Sequence, residues 1–157
     1  MDPNLKSYLE KHKIEYKNYK HPAVFTVAES KKIKIDIPAL HTKCLFLKDE
    51  NSQFYLVAIP AEKRLNINLL RKKFNLKKLY FASKEELKSE LNLTPGSVSI
   101  FGMIYSKNTN LIIDKELWDA ESVGFHPNIN TSTILLNHEN LEKFYNSIDI
   151  RKSIIEL

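Results

Sequence analysis

Three observations predict an α/β (α+β) fold for this chain. Short β-branched and aromatic runs alternate with segments of helical apolar spacing, two of those runs are joined by a turn of hairpin length, and Ser/Thr-x-x-Glu capping boxes open helices between them. Hairpin connections exclude a purely parallel sheet, so the expected architecture is a mixed, largely antiparallel central sheet of about six or seven strands surrounded by helices. The 157 residues, 43% hydrophobic and 27% charged, fit one domain spanning 1–157 with one core.

The elements follow in order. Asp2-Pro3 reads as an N-cap with proline in the first turn, and Leu5, Tyr8, Leu9 and His12 place an amphipathic helix over 3–13. A short strand is expected at Tyr16–Tyr19. Thr26-x-x-Glu29 has capping-box spacing and opens a second helix that Pro38 ends. Thr42–Lys48 and Gln53–Ile59 form a hairpin across Asp49–Ser52. Asn66–Asn75 puts Ile67, Leu70 and Phe74 on one helical face, and Lys78–Ala82 is a strand. Ser83-x-x-Glu86 opens a helix with Leu87 and Leu91 inward. The Pro95-Gly96 turn leads to a strand near Val98–Ile104. Asn110–Asp114, Ser122–Phe125 and Thr131–Leu136 are further strands, and Asn137 caps a last helix whose inner face is Leu141, Phe144, Tyr145 and Ile148.

Composition bounds the function. No apolar run approaches the roughly 20 residues needed to cross a bilayer, and the polar amino terminus lacks an apolar signal core, so a soluble protein of the cytoplasm with no membrane partner is expected. The lone Cys44 forms no internal disulfide, and no histidine, cysteine or carboxylate cluster has metal-ligand spacing, so no metal or cofactor is expected. A net charge of +5 is compatible with a nucleic-acid partner. Glycine occurs only as Gly96, Gly102 and Gly124, which directs attention to residues 94–131.

Dinucleotide, P-loop and HExxH motifs are absent. Cys44 sits within a strand pattern, where a packed thiol is the ordinary reading and a nucleophile the sharper one. Strand alternation puts Lys43 on one face with Leu45 and Leu47, and Cys44 and Phe46 on the other. Lys43 either snorkels to water from an apolar stripe or stands at a pocket rim as a fixed cation. Gly124-Phe125-His126-Pro127-Asn128-Ile129-Asn130-Thr131 places an imidazole, amides and a hydroxyl around a stiff loop; it reads equally as a turn and as a polar ligand site. Pro95–Gly102 brackets a segment whose backbone amides can face a carbonyl.

Together these segments resemble one family, the YbaK-like aminoacyl-tRNA deacylases related to the insertion domain of bacterial prolyl-tRNA synthetase. The resemblance is strongest to the freestanding alanyl-tRNA(Pro) deacylase (PrdX-like) branch. It runs collinearly through His21–Thr26, His41-Thr42-Lys43, Phe54–Pro60, Phe81-Ala82-Ser83, Pro95–Gly102 and Gly124–Thr131 to the last helix. It implies a hydrolase that removes the amino acid from mischarged tRNA, first of all alanyl-tRNA(Pro), with help from the substrate's terminal ribose hydroxyl. Lys43, Gly96 and His126 would then stand at the chemistry. Phe25, Thr26, Cys44, Phe46, Ser97, Ile100, Phe101, Gly102, Gly124, Asn130 and Thr131 would line the amino-acid pocket. Two positions depart from the branch: Cys44 stands where asparagine is usual, and Ile100 where the glycine loop usually ends in proline. Both bear on amino-acid preference and rate more than on fold.

For the tRNA itself, residues 63–78 carry Lys63, Arg64, Arg71, Lys72, Lys73, Lys77 and Lys78 with no acid among them. They form either an ordinary solvated face or a landing strip for acceptor-stem phosphates. The implied partners are tRNA and prolyl-tRNA synthetase; no motif encodes an oligomeric state. The alternatives are a deacylase for cysteinyl-, seryl- or threonyl-tRNA, and a non-catalytic amino-acid or tRNA-binding module.

Overall fold

A computed structural model of the chain describes residues 1–23, 28 and 37–157. The helix expected to open at Thr26, together with Phe25 and Thr26 themselves, lies outside these residues.

Local chemistry sets most of the elements. In α1 (Pro3–Lys11) the Asp2 carboxylate accepts the Asn4 N–H at 3.0 Å, Leu5 and Leu9 are fully buried, and the left-handed Lys13 (φ 56°) turns the chain away two residues past the helix end. β1 (Lys17–Lys20) follows. β2 (Leu40–Asp49) and β3 (Phe54–Pro60) form the expected hairpin. Its turn is held by Asp49, whose carboxylate accepts the N–H groups of Asn51 and Gln53 at 2.8 and 3.0 Å and the Tyr55 hydroxyl at 2.8 Å. Asn66 caps α2 (Ile67–Lys73), and β4 (Leu79–Phe81) comes next. The Ser83–Glu86 capping box is closed in both directions at the start of α3 (Lys84–Leu91), and the left-handed Asn92 ends it. After β5 (Thr109–Asp114) come α4 (Lys115–Trp118), β6 (Ser122–Phe125), β7 (Ser132–Asn137), the Asn137-capped α5 (His138–Ser147) and β8 (Lys152–Ile155).

The strand expected near Val98–Ile104 is instead a 3₁₀ helix, Ile100–Tyr105. Ser99 accepts the Phe101 N–H at 3.0 Å and starts the helix, and Gly102 lets its backbone close onto the end of α3. A Cβ at Gly102 would stand 2.6 Å from Leu93 Cδ1 and 3.1 Å from Leu91 Cβ. A short apolar run is ambiguous between strand and buried helix, and here packing and the cap decided it.

The eight strands make one mixed sheet in the order β1-β7-β6-β2-β3-β5-β8, with β4 paired to β2. The β1–β7, β6–β7, β2–β3 and β2–β4 pairs are antiparallel; β2–β6, β3–β5 and β5–β8 are parallel. The unexpected eighth strand is β8, a half-buried KSII segment too short to carry a pattern of its own. The two faces of the hairpin serve two clusters. Phe46, Leu56 and Ala58 join Phe101, Phe125 and Phe144 in the larger one, and Leu47, Val57 and Ile59 meet Leu70 of α2 in the smaller. Each such large apolar side chain contributes about 1.5–3 kcal/mol by leaving water. Among the described residues no helix is long and apolar enough to cross a membrane.

One buried carboxylate pins α3 to the turn that enters β5. Glu90 Oε1 accepts from Ser106 Oγ at 3.0 Å, Lys107 N at 2.9 Å, Thr109 Oγ1 at 2.9 Å and the Asn108 N–H. Burial alone would raise its pKa, but these donors outweigh it and hold the carboxyl below the usual range. Because the folded value is depressed, the stabilisation is full above the unfolded value of about 4.3 and is lost as pH falls through the folded value. Glu90→Gln is therefore expected to lower stability at pH 7 by about 1–3 kcal/mol. In urea titrations at pH 7 and in acid, the gap between parent and variant should narrow at the lower pH.

Candidate active site

Among the described residues, no strand pairs with one edge of β2 between His41 and Leu47. β3 covers the opposite edge, while β6 pairs only at Leu40 and His41, and β4 only from Leu47 to Asp49. Lys43 lies in this gap, half-buried, opposite Ile59 of β3 and on the face of Leu45 and Leu47. Among the described residues no carboxylate pairs with it.

Two loops converge on the same stretch of β2. On one side the Thr42 hydroxyl donates to the Gly124 carbonyl at 2.7 Å, fixing the start of the Gly124–Thr131 loop beside Lys43. On the other side the Ile100 backbone N–H faces the Cys44 sulfur, bringing the end of the glycine loop against the residue next to Lys43. Within that loop Gly96 takes φ 91°, a region costly for any residue with a Cβ, and Ser97 closes a turn by donating to the Thr94 carbonyl at 3.1 Å. Gly96 is half-buried and Ser97 nearly buried. Phe101 and Gly102 lie beneath the loop: Phe101 is fully buried, edge-on to Phe125 and Phe144 at 5.7 and 5.0 Å, and supports the loop from the core rather than lining its open face. Phe46 is likewise buried, stacked on Phe54 at 5.0 Å.

In the Gly124–Thr131 loop His126 Nδ1 lies 3.0 Å from the Ser132 carbonyl. A carbonyl only accepts, so the proton sits on Nδ1 and the neutral ring presents Nε2 as a lone pair. Burial holds this imidazole below its ordinary pKa; the Ser132 contact opposes the shift, and His21, with ring centroids 6.0 Å apart, adds to it. His21 is fixed in turn, its Nε2 at 2.8 Å from Thr133 Oγ1 and its backbone N–H donating to the Thr131 carbonyl at 2.9 Å. Asn130 and Thr131 follow in the same loop, Thr131 exposed. Asn128 belongs to the same loop, whose sequence assigned it no role beyond the turn. It takes the left-handed conformation (φ 63°), and both polar atoms of its carboxamide are buried without a hydrogen-bond partner among the described residues. The Pro-Asn turn signal was legible; an unpaired buried amide becomes visible only in three dimensions.

The sequence profile of the aminoacyl-tRNA editing domain matches residues 21–144, most of the chain. The chain belongs to the aminoacyl-tRNA editing domain family. As a member it is an aminoacyl-tRNA deacylase, hydrolysing the ester that joins amino acid to tRNA. It is 36% identical over 138 residues to the prolyl-tRNA editing protein ProX of Acetoanaerobium sticklandii, covering 86% of this chain and 84% of that protein. Over 120 residues it is 30% identical to the prolyl-tRNA synthetase associated domain-containing protein 1 of Xenopus laevis, covering 73% and 71%. A crystal structure of a candidate trans-editing enzyme for prolyl tRNA synthetase superposes with a TM-score of 0.77 at 16% identity, covering 100% of this chain and 98% of that one, a likeness of fold.

The editing domain's basic segment is divided by the structure. Lys63 pairs with the buried Asp114 at 2.7 Å and with Glu116 at 3.5 Å, Arg71 donates to the Leu76 carbonyl at 3.0 Å, and Lys73 to the Glu156 carbonyl at 2.9 Å. Arg64, Lys72, Lys77 and Lys78 are exposed and have no ion pair among the described residues.

Cys44 is the one thiol, and burial pushes its pKa up to about 12 against the modest opposing effect of the Ile100 N–H. It stays protonated near neutrality and is a poor nucleophile. Cys44→Ala is expected to keep deacylase activity close to that of the parent, with no acyl-protein adduct by intact mass spectrometry during turnover. A catalytic nucleophile would instead show a loss on the order of 10⁶ in kcat.

Proposed function

We propose that this deacylase acts in trans on mischarged tRNA(Pro), with alanyl-tRNA(Pro) as its first substrate. The observation that carries the reading is that the His126 loop and the glycine loop meet β2 at Thr42 and Cys44, the two residues flanking Lys43, where no described strand covers one edge. The similarity to the prolyl-tRNA editing protein ProX supports the choice of tRNA. In this reading Lys43 orients the ester end of the substrate as a fixed cation, and the Gly96–Ile100 backbone faces the scissile carbonyl. His126, neutral with Nε2 presented as an acceptor, takes a hydrogen bond from the aminoacyl end. The attacking water is positioned with help from the substrate's own terminal ribose hydroxyl, so the protein contributes placement and fixed dipoles rather than a covalent intermediate.

Discrimination of alanine from proline works mainly by size, and a difference of a few carbons gives a single pocket only modest selectivity, about 10–200-fold per methylene. A separate hydrolytic sieve after the synthetase is the physical answer to that limit, and delivery of substrate by prolyl-tRNA synthetase in the cytoplasm fits it. Arg64, Lys72, Lys77 and Lys78 supply cations for acceptor-stem phosphates, with affinity that falls as salt rises. Cys44 and Ile100, the two departures from the branch pattern, contact one another, which makes cysteinyl-, seryl- and threonyl-tRNA the informative competitors.

The test is a panel of purified tRNAs charged with alanine, cysteine, serine, threonine or proline. Ester loss is scored with and without the protein. Alanyl-tRNA(Pro) is expected to lose its ester well above the uncatalysed background, while prolyl-tRNA(Pro) is spared. Loss confined to another mischarged tRNA would reassign the substrate, and no acceleration with any of them would leave a binding module.

A further inference from the structure

Large apolar side chains are uncommon on the described surface, and one of them lies on the same sheet face as Lys43. Phe81, in the edge strand β4, is 58% exposed. It stands directly across from Leu47 of β2, so the two side chains share a face, and alternation puts Lys43 on that face as well. Leu79, two residues earlier in β4, confirms the orientation by packing with Leu47 and Leu70 under α2. Four strand steps of about 3.3 Å separate Lys43 from Leu47, roughly 13 Å along β2. Of β2 itself Leu45, half-buried, lies between them on that face, along the edge that no described strand covers.

The segment that carries Phe81 is basic. Residues 63–84 hold eight lysines and arginines and no acid. Of these Lys72, Lys77, Lys78 and Lys84 are exposed and without an ion pair among the described residues. The nearest acids are partly engaged: Glu50 accepts the backbone N–H groups of Lys77 and Lys78 at 2.9 and 3.3 Å, and Glu86 pairs with Lys48 at 2.7 Å. Glu85 remains exposed. An exposed aromatic ring in a segment rich in free cations has the chemistry of a site for single-stranded nucleic acid, where bases stack on rings and lysines take the phosphates.

We infer that Phe81 is a stacking platform for an unpaired nucleotide of the tRNA 3′ end, holding the strand that leads into the site at Lys43. The inference rests on the deacylase reading and adds where, and in which direction, the substrate strand lies. Stacked nucleotides advance roughly 3.4 Å each along one strand, so 13 Å falls within the reach of the few unpaired nucleotides behind the aminoacylated one. Phe81 acts here through binding, at a distance from the ester itself.

The test measures binding of uncharged tRNA with an intact 3′ end and of the same tRNA trimmed of its unpaired 3′ nucleotides, by fluorescence anisotropy, with a thermal melt of each variant. The parent is expected to prefer the intact end. Phe81→Ala should weaken binding of the intact tRNA by roughly 5- to 100-fold, the range for losing one stacked base, and so abolish the preference. Phe81→Trp should retain it, and Phe81→Leu, apolar but without a π face, should not. In deacylation the alanine variant should raise KM far more than it lowers kcat. Equal binding of intact tRNA by parent and Phe81→Ala, or full rescue by leucine, would overturn the platform and leave Phe81 to a protein partner or to no partner. Should the parent hydrolyse no charged tRNA yet keep a Phe81-dependent preference for the intact end, the deacylase reading fails and the platform stands.

Discussion

The pairing of β2 is the constraint on which the rest of the structure depends. Over Thr42–Lys48 one edge is fully bonded to β3, which fixes the register and sends Lys43, Leu45 and Leu47 to one face and Cys44 and Phe46 to the other. A slip by one residue would exchange the faces, placing the lysine in the larger core and Phe46 in the gap. The second edge is shared: β6 takes the start of β2 and β4 takes its end. β2 is thus the strand that joins β1, β7 and β6 to β3, β5 and β8, and the stretch around Lys43 is where two sets of loops can meet.

The electrostatics of the site follow from that placement. Its ionisable groups favour positioning over covalent chemistry: a thiol held protonated by burial, an imidazole held neutral with its tautomer set by the Ser132 carbonyl, and a cation without a carboxylate partner among the described residues. The two departures from the deacylase pattern also become one feature. Proline at position 100 would have no N–H; isoleucine restores it, and that N–H faces the sulfur of Cys44. A weak polar contact therefore ties β2 to the glycine loop where the usual residue pair, asparagine and proline, would make a different one.

The regular elements and their caps were legible in the sequence because each rests on local chemistry. Asp2, Ser83 and Asn137 cap helices as their spacing implied, and Asn66 caps the helix expected over Asn66–Asn75. The hairpin was legible for the same reason, since Asp49 and the alternation on either side are local signals. What stayed hidden depends on contacts distant in sequence. The 3₁₀ helix at Ile100–Tyr105 needs Gly102 pressed against Leu91 and Leu93, and β8 needs the parallel edge of β5. Of the site, the Lys43 stripe and the two loops could be named in advance, but their meeting at an uncovered strand edge could not. Nor could the engagement of Lys63 by Asp114, a pair separated by fifty-one residues. Asn128 shows the same limit, since its turn was readable and its unpaired amide was not.

In the proposed mechanism the β2 register holds Lys43 as a fixed cation for the ester end of the substrate. Single-turnover deacylation of alanyl-tRNA(Pro) by Lys43→Ala, with a thermal melt alongside, tests it most directly. Removing one electrostatic contact of this kind typically costs roughly 2–4 kcal/mol of transition-state stabilisation, so the rate should fall on the order of 10²–10³ while the melt stays near that of the parent. Lys43→Arg should rescue poorly, because a planar guanidinium does not fill the place of a compact ammonium. Parent-like turnover in Lys43→Ala would show a lysine that only reaches for water from an apolar stripe and would remove it from the mechanism.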